Sequence, residues 1–519
     1  MLNTNSVGID DIAIYVPQLY FDMRDFAELR GMQFSKLHDG LGLSAMAIPD
    51  VHEDTATMGA NAAARLIDNN KIDPSTIGRI YLGTESALDA AKPTATYIMD
   101  MLEQKYCAQY GADCFRQCDV VDLTFACIGA VDAMHNTLDW VARGGVEADR
   151  IGIVIFADNA KYELGSSGEY TQGAGGGALL IKHKPRLLTV PDLWGICTTP
   201  KHDFFKPRRE ILVRSMVESV LAHGEVSGAQ LADALVDKVL QSLASADQYG
   251  ELIFGSETLA VHKDTPVFDG QFSNRCYATA VTQAFADFVA QAIRTGRYQP
   301  GQDEILSQQW ARIVVHLPYA FQGKRMLPDV FAFDRKSQPW WRDVLLEIGA
   351  EPQRQDFAYA AAGEDEYAKA LDQYRKRISS TQQFRVFVQQ KIEKSQRASS
   401  LVGNQYTGSI FLALMSTLES DYLENSDLTG RTIGFCAYGS GAKAKVFEGE
   451  VQSGWRNIAS RFQLFPRLAQ RRAISAATYE ALHRGSRRRS VIPAAQEFAL
   501  LGVGERGGLE GQRRYGWID

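Results

Sequence analysis

The chain has 519 residues, of which 45% are hydrophobic, 10% aromatic and 23% charged; this is a globular composition and excludes a disordered or collagen-like chain. It carries 55 Lys and Arg against 62 Asp and Glu, a formal charge of -7, so it lacks the clustered positive charge of a nucleic-acid scaffold. No apolar run reaches the roughly 18 residues of a membrane span, and the opening MLNTNSVGIDDIAIYVP has no basic n-region, so a cytoplasmic protein with no membrane or nucleic-acid partner is expected.

The first half alternates. Short β-rich runs at Asp11–Val16, Ile80–Leu82 and Ile151–Phe156 are separated by helical patterns at Thr57–Leu66 and Thr94–Tyr106. That alternation predicts a layered α/β sheet. The runs IGIVIF and RIVVH are apolar throughout, as expected of strands covered on both faces. Between about Arg209 and Lys263 two amphipathic helices are predicted. One puts Val213, Met216, Val217, Val220 and Leu221 on a face, the other Leu231, Leu235, Val236, Val239, Leu240 and Leu243. From Arg467 to the end the chain is locally basic, with Arg484, Arg487, Arg488 and Arg489, which reads as a solvated charged face.

Three pairs of segments recur in the same order. RIYLGTES, with Glu85, resembles RIVVHLPY, with His316. TFACIGAVDAMHNTLDWV resembles NQYTGSIFLALMSTLE, and IGIVIFADNAKYELGSSG resembles TIGFCAYGSGAKAKVFEG. Their common order implies a duplicated α/β unit, with ligands at the carboxyl ends of the strands.

Three residues could carry chemistry. Cys127 stands between an apolar stretch and a helical pattern, where a helix N-terminus would favour the nucleophilic thiolate. The same placement suits a buried structural cysteine. Glu85 ends an apolar strand, where partial desolvation would raise its pKa and fit it for proton transfer; an exposed acid at a loop start is the alternative. His316 closes the run Ile313–Val315, where it could polarise an oxygen or simply be a bonded core histidine. The other cysteines are Cys107, Cys114, Cys118, Cys197, Cys276 and Cys436. With Cys127 they make seven, an odd total at low density that suits a reducing compartment, and no pair has the C-x2-C spacing of a zinc site, so no metal is expected. The glycine-rich turns Gly173–Gly177 and Tyr438–Gly441 are neither a P-loop nor a dinucleotide fingerprint.

Taken together, these residues resemble the 3-hydroxy-3-methylglutaryl-CoA (HMG-CoA) synthase family of the thiolase-like superfamily. The segments are Gly40-Leu41-Gly42, MGANAA from Met58, GTES with Glu85, FAC with Cys127, and Ala157–Tyr162. They continue with TQGAG from Thr171, DFFKP from Asp203, PVFDG-x-x-S ending at Ser273, HLPY with His316, GNQYTGS from Gly403, and YGSG from Tyr438. The resemblance runs from about Gly8 to Val451.

The resemblance implies a duplicated five-layered αβαβα fold. Its first half would be 1–190, its second 191–465 with a helical insertion at about 209–263, and a basic segment, 466–519, would pack on the second half. It also implies condensation of acetyl-CoA with acetoacetyl-CoA and water to give HMG-CoA, through an acetyl-cysteine on Cys127. Glu85 would move protons and His316 would anchor the acetoacetyl group. Asp158, Tyr162, Asp203, Asn404 and Ser440 would shape the acyl pocket; Thr171, Ser273, Lys324 and Arg325 would lie near the coenzyme A arm. No cofactor beyond coenzyme A thioesters is implied, and a homodimer is usual in the superfamily. Departures from the family pattern are Ile128 after the nucleophile, where an aromatic residue bordering the acyl pocket is usual, Phe321 five positions after the histidine, where lysine is common, and the insertion. They leave a second reading, the same chemistry on a β-keto chain held by an acyl carrier protein. A third is a non-catalytic acyl-CoA-binding protein.

Overall fold

The structure is a computed structural model. It describes residues 6–144, 149–223, 229–245, 258–261, 263–301, 304–357, 363–504 and 511–519. A ten-stranded sheet runs through the molecule. Its strands are β1 (Val7–Tyr15), β2 (Ile77–Gly83), β3 (Asp119–Leu123), β4 (Ile151–Ala160), β5 (Gly173–His183), β6 (Leu188–Thr189), β7 (Gly195–Thr198), β8 (Trp310–Val315), β9 (Thr432–Gly439) and β10 (Lys443–Val451). The order is β8-β9-β10-β6-β1-β5-β4-β2-β3, and β7 pairs with β10 off this path.

The duplication is visible in the pairing. In the first half β2 runs parallel to β4, β4 antiparallel to β5, and β5 antiparallel to β1. In the second half β8 runs parallel to β9, β9 antiparallel to β10, and β10 antiparallel to β7. The short β6 joins the halves, bonding to β1 on one side and β10 on the other.

Five helices complete the layers: α1 (Thr55–Asn70), α2 (Thr94–Tyr110), α3 (Gly129–Gly144), α4 (Gly270–Arg294) and α5 (Ser409–Leu423). Strand periodicity decides which layer each side chain joins. Along β4, Ile153, Ile155 and Ala157 pack with the buried residues of α1 and α2, whereas Val154 and Phe156 pack with those of α3 and α5. A capping box starts α1: Asp54 accepts from the Thr57 amide at 2.9 Å, and Thr57 Oγ1 accepts from the Asp54 amide at 2.7 Å. Its small residues let it lie flat on β5, where any side chain at Gly176 would run into the Met58 backbone. In the middle layer α3 reaches the second half through Asp132, paired with Lys443 and Lys445 of β10 at 2.9 and 2.8 Å. Phe411 of α5 stacks on Phe156 at 5.0 Å. Helix α4 covers β7, β9 and β10 on the far side. This is the expected αβαβα arrangement.

The insertion carries the two expected helices, Val213–His223 and Ala229–Ser245, on a two-stranded base, Arg209–Leu212 with Thr258–Val261. Its stretches 224–228 and 246–257 lie outside the described residues. The C-terminal segment corrects an expectation. Only the helix Leu464–Ala469 stays with the second half, against α5 and the helix Glu393–Val402. From Arg472 onward the chain packs on the first half. Arg472 and Ala473 pair with Leu19 and Tyr20, Tyr479 stacks on Phe21 at 4.7 Å, and Phe498 exchanges two bonds with the Asn61 side chain on α1. The reason is its apolar content: Tyr479, Phe498 and Tyr515 are buried, so the segment follows an apolar face rather than its arginines. No described helix is long and apolar enough to cross a membrane.

Candidate active site

Two matching strand ends carry candidate residues. Strand β2 ends at Gly83 and is followed by Thr84 and Glu85; β8 ends at Val315 and is followed by His316. The turn that carries Cys127 precedes α3, and the turn from Asn404 to Gly408 precedes α5. The Cys127 turn rests on the end of β9. A side chain at Gly439 would run into the Phe125 carbonyl and Ile128, so glycine there lets the two halves close. Ala126 sits at φ 39°, in the left-handed region, which swings the next side chain out of the helical path.

Cys127 Sγ donates to Glu85 Oε1 at 2.9 Å. Burial, and then the Glu85 charge, push the Cys127 thiol well above its ordinary range. The expected thiolate at a helix N-terminus is therefore corrected: the resting group is a thiol whose proton already points at a carboxylate. Burial lifts Glu85 itself to about 7; Lys206 opposes the shift and Asp158 adds to it. A carboxyl poised there is matched to proton transfer near neutrality. His316 is fully buried, with no bond at Nδ1. Burial pushes it down to about 3, so it is neutral. Its carbonyl accepts from the Tyr277 hydroxyl at 2.6 Å.

Asp158 is buried and fully used. It accepts from the Glu85 amide at 2.8 Å, the Thr84 hydroxyl at 2.9 Å, and the Thr407 amide and hydroxyl at 3.0 and 2.5 Å. It thus locks the Glu85 strand end to the matching turn of the other half instead of facing an acyl group. Asn404 accepts from the Tyr406 amide at 2.8 Å and Ser409 Oγ at 2.9 Å. That holds Tyr406 against Cys127, Tyr162 and Ala160 in one buried cluster, with Phe204 and Phe268 at its edge. Asp203 accepts from Ser273 Oγ at 3.0 Å, the Tyr438 hydroxyl at 2.9 Å and the Gly441 amide at 2.8 Å. The Ser273 hydroxyl is therefore turned to Asp203, and Ser440 sits in the turn that Asp203 straps down.

Thr171 bonds within its own turn, to the Gly168 carbonyl at 2.7 Å, and its carbonyl accepts from the Asn404 amide at 3.0 Å. Lys324 and Arg325 line a cavity of about 1000 Å³ between α4 and the helix Gly363–Ser380. Lys324 lies 3.4 Å over the Phe321 ring. Ile128 is wholly buried and belongs to the large core cluster rather than to the cluster around Cys127. Lys206, in the DFFKP segment, joins the site although the sequence assigns it no role. Its Nζ donates to the Glu85 carbonyl at 3.1 Å and lies 4.9 Å over the Tyr406 ring. Only an ionisable residue inside a matched segment signalled it.

Among the described residues, His135, Asp139 and Asp192 bring their ligand atoms within 4.8 Å of one another. Lys445 Nζ, 2.8 Å from His135 Nδ1, places positive charge beside them and disfavours a cation.

Fold and site together define a thiolase-like condensing enzyme, an acyltransferase. Two family profiles match: "Hydroxymethylglutaryl-coenzyme A synthase N terminal" over residues 3–185 and "Hydroxymethylglutaryl-coenzyme A synthase C terminal" over residues 260–494. The hydroxymethylglutaryl-CoA synthase of Haloferax volcanii is 30% identical over 521 residues, covering 99% of this chain and 100% of its own. A solved structure of MvaS in complex with 3-hydroxy-3-methylglutaryl coenzyme A superposes with a TM-score of 0.71 at 25% identity, over 99% of both chains. The HMG synthase of the curacin biosynthetic pathway, in complex with an acetyl donor carrier protein, shares the fold at a TM-score of 0.67 and 18% identity, over 99% of this chain and 100% of its own. The chain belongs to the hydroxymethylglutaryl-CoA synthase family.

Proposed function

We propose that this protein condenses acetyl-CoA with acetoacetyl-CoA and water to form 3-hydroxy-3-methylglutaryl-CoA and CoA. The observation that carries the reading is the 2.9 Å contact from Cys127 Sγ to Glu85 Oε1, at the strand end matched by His316 in the other half. Cys127 attacks the acetyl carbonyl as its proton passes to Glu85. The carbon–sulfur bond to CoA breaks, and CoA leaves with that proton, so Glu85 returns to carboxylate. Glu85 then takes a proton from the acetyl methyl. The resulting carbanion equivalent attacks the ketone carbon of acetoacetyl-CoA. Neutral His316 donates to the ketone oxygen, which becomes the alkoxide, and Glu85 or a water supplies its proton. Water finally cleaves the enzyme thioester and frees Cys127.

Tyr162, Tyr406, Phe204 and Phe268 wall the acyl group, while Asp158, Asp203 and Asn404 hold those walls. Thr171, Ser273, Lys324 and Arg325 lie along the coenzyme A arm in this reading. It includes a cytoplasmic homodimer; the seven cysteines, all free thiols, support a reducing compartment.

Intact-protein mass spectrometry after incubation with acetyl-CoA tests the scheme. An acetyl adduct on Cys127, discharged by acetoacetyl-CoA, is expected. Discharge only by an acetoacetylated carrier protein would move the protein to polyketide branching. Absence of any adduct would sink the acetyl-cysteine step.

A further inference from the structure

A second cavity lies at the carboxyl end of β1, beside α1 and α2. Its volume is about 640 Å³, within the roughly 300–1,000 Å³ of small-molecule sites. Arg65 of α1, Lys105 of α2, Arg467, Arg471 and the acids Asp68 and Glu497 line it. Both acids are committed elsewhere. Glu497 accepts from the Tyr15 hydroxyl at 2.7 Å and lies 3.2 Å from His52 Nε2. Asp68 accepts from the Tyr106 hydroxyl at 2.7 Å and pairs with Lys105 at 3.2 Å. Glu419, the other acid near Arg467, accepts from the Leu464 and Phe465 amides at 2.8 and 3.2 Å.

Among the described residues none of the three arginines has a carboxylate at ion-pair distance; Glu497 and Glu419 attract Arg65 and Arg467 only from farther off. Arg65 donates to the Ile14 carbonyl. Arg471 donates to the Leu468 and Leu401 carbonyls at 3.2 and 2.8 Å, and its Nη1 is buried with no bond. Burial, with the Arg467 charge facing it, pulls Arg65 down to about 10. A guanidinium does not escape such strain by losing its proton. Guanidiniums that line one cavity with no carboxylate in contact cost free energy, which a bound anion offsets, and their fork geometry matches phosphate oxygens.

We propose that this cavity binds a phosphate-bearing small molecule, with Arg65, Arg467 and Arg471 as its donors. The site is independent of Cys127 and of the condensation reaction. Its test is isothermal titration calorimetry of the full chain, free of CoA, with inorganic phosphate, pyrophosphate and ribose 5-phosphate at constant ionic strength. Saturable binding at one site is expected. Arg65→Gln and Arg467→Gln should each weaken it about ten-fold or more, the scale of a charged hydrogen bond. Tighter binding of ribose 5-phosphate assigns an organic ligand; equal binding assigns phosphate itself. Acetylation of Cys127 in both variants serves as the control for folding. Saturable heat from none of the three probes, or affinities unchanged in the two folded variants, would overturn the proposal.

Discussion

At Cys127 two demands conflict. The acyl group needs a dry, aromatic-walled pocket, and dryness opposes formation of the thiolate. In the proposed scheme Glu85 resolves the conflict by taking the thiol proton only as attack proceeds. Cys127→Ala should abolish the acetyl adduct and lower turnover by about 10⁴-fold or more, read by intact mass and by release of free CoA. The base must be a carboxylate, and burial raises its pKa to about 7. The rate of adduct formation should therefore fall as pH drops through about 7 and level off above it. Lys206 opposes the rise, so Lys206→Met should move this acid limb to higher pH, while Lys206→Arg restores it. A uniform loss of rate at every pH in Lys206→Met would mark a merely structural lysine.

Among the elements, the C-terminal hairpin shows how a basic segment becomes an integral part of the fold. Its strands Glu497–Val503 and Arg513–Ile518 pair with each other. Phe498 is wholly buried and meets Trp517 edge-on at 5.1 Å. Phe498→Ala should cost about 3–5 kcal/mol, measured as a lower denaturation midpoint. The helical patterns of α1 and α2 were legible because small and apolar residues repeat at helical spacing. The docking of the hairpin was not, because it rests on bonds between Asn61 and the Phe498 backbone, which lie far apart in the chain. The base of the insertion was also missed: Arg209–Leu212 and Thr258–Val261 are far apart in the chain.

For the whole molecule, the described part of the insertion packs chiefly on itself. Leu212 pairs with Thr258, so the chain can be closed there. Replacing 213–257 by a tight turn should leave the denaturation midpoint unchanged and Cys127 acetylation within about two-fold, since the described residues removed make few body contacts. A collapse of acetylation with the fold intact would show that the insertion serves the site through the adjoining Lys206 and Pro207. The two halves, by contrast, cannot be separated: Asp158 of the first holds Thr407 of the second, and Phe156 stacks on Phe411.

By itself the amino-acid sequence determined the layered α/β class and the duplicated order of segments, because strand and helix periodicity are local features; it marked Glu85, Cys127 and His316 as candidates, and only the family resemblance implied roles for them. Tertiary structure alone decided the charge states and the company of those residues. Burial, which no short segment reports, keeps Cys127 a thiol and His316 neutral and lifts Glu85 to about 7. It also turned Asp158 and Ser273 to other protein groups, brought Lys206 to Glu85, and carried the basic C-terminal segment to the first half. Each of these depends on which distant surface covers a group, and that is settled only when the layers close.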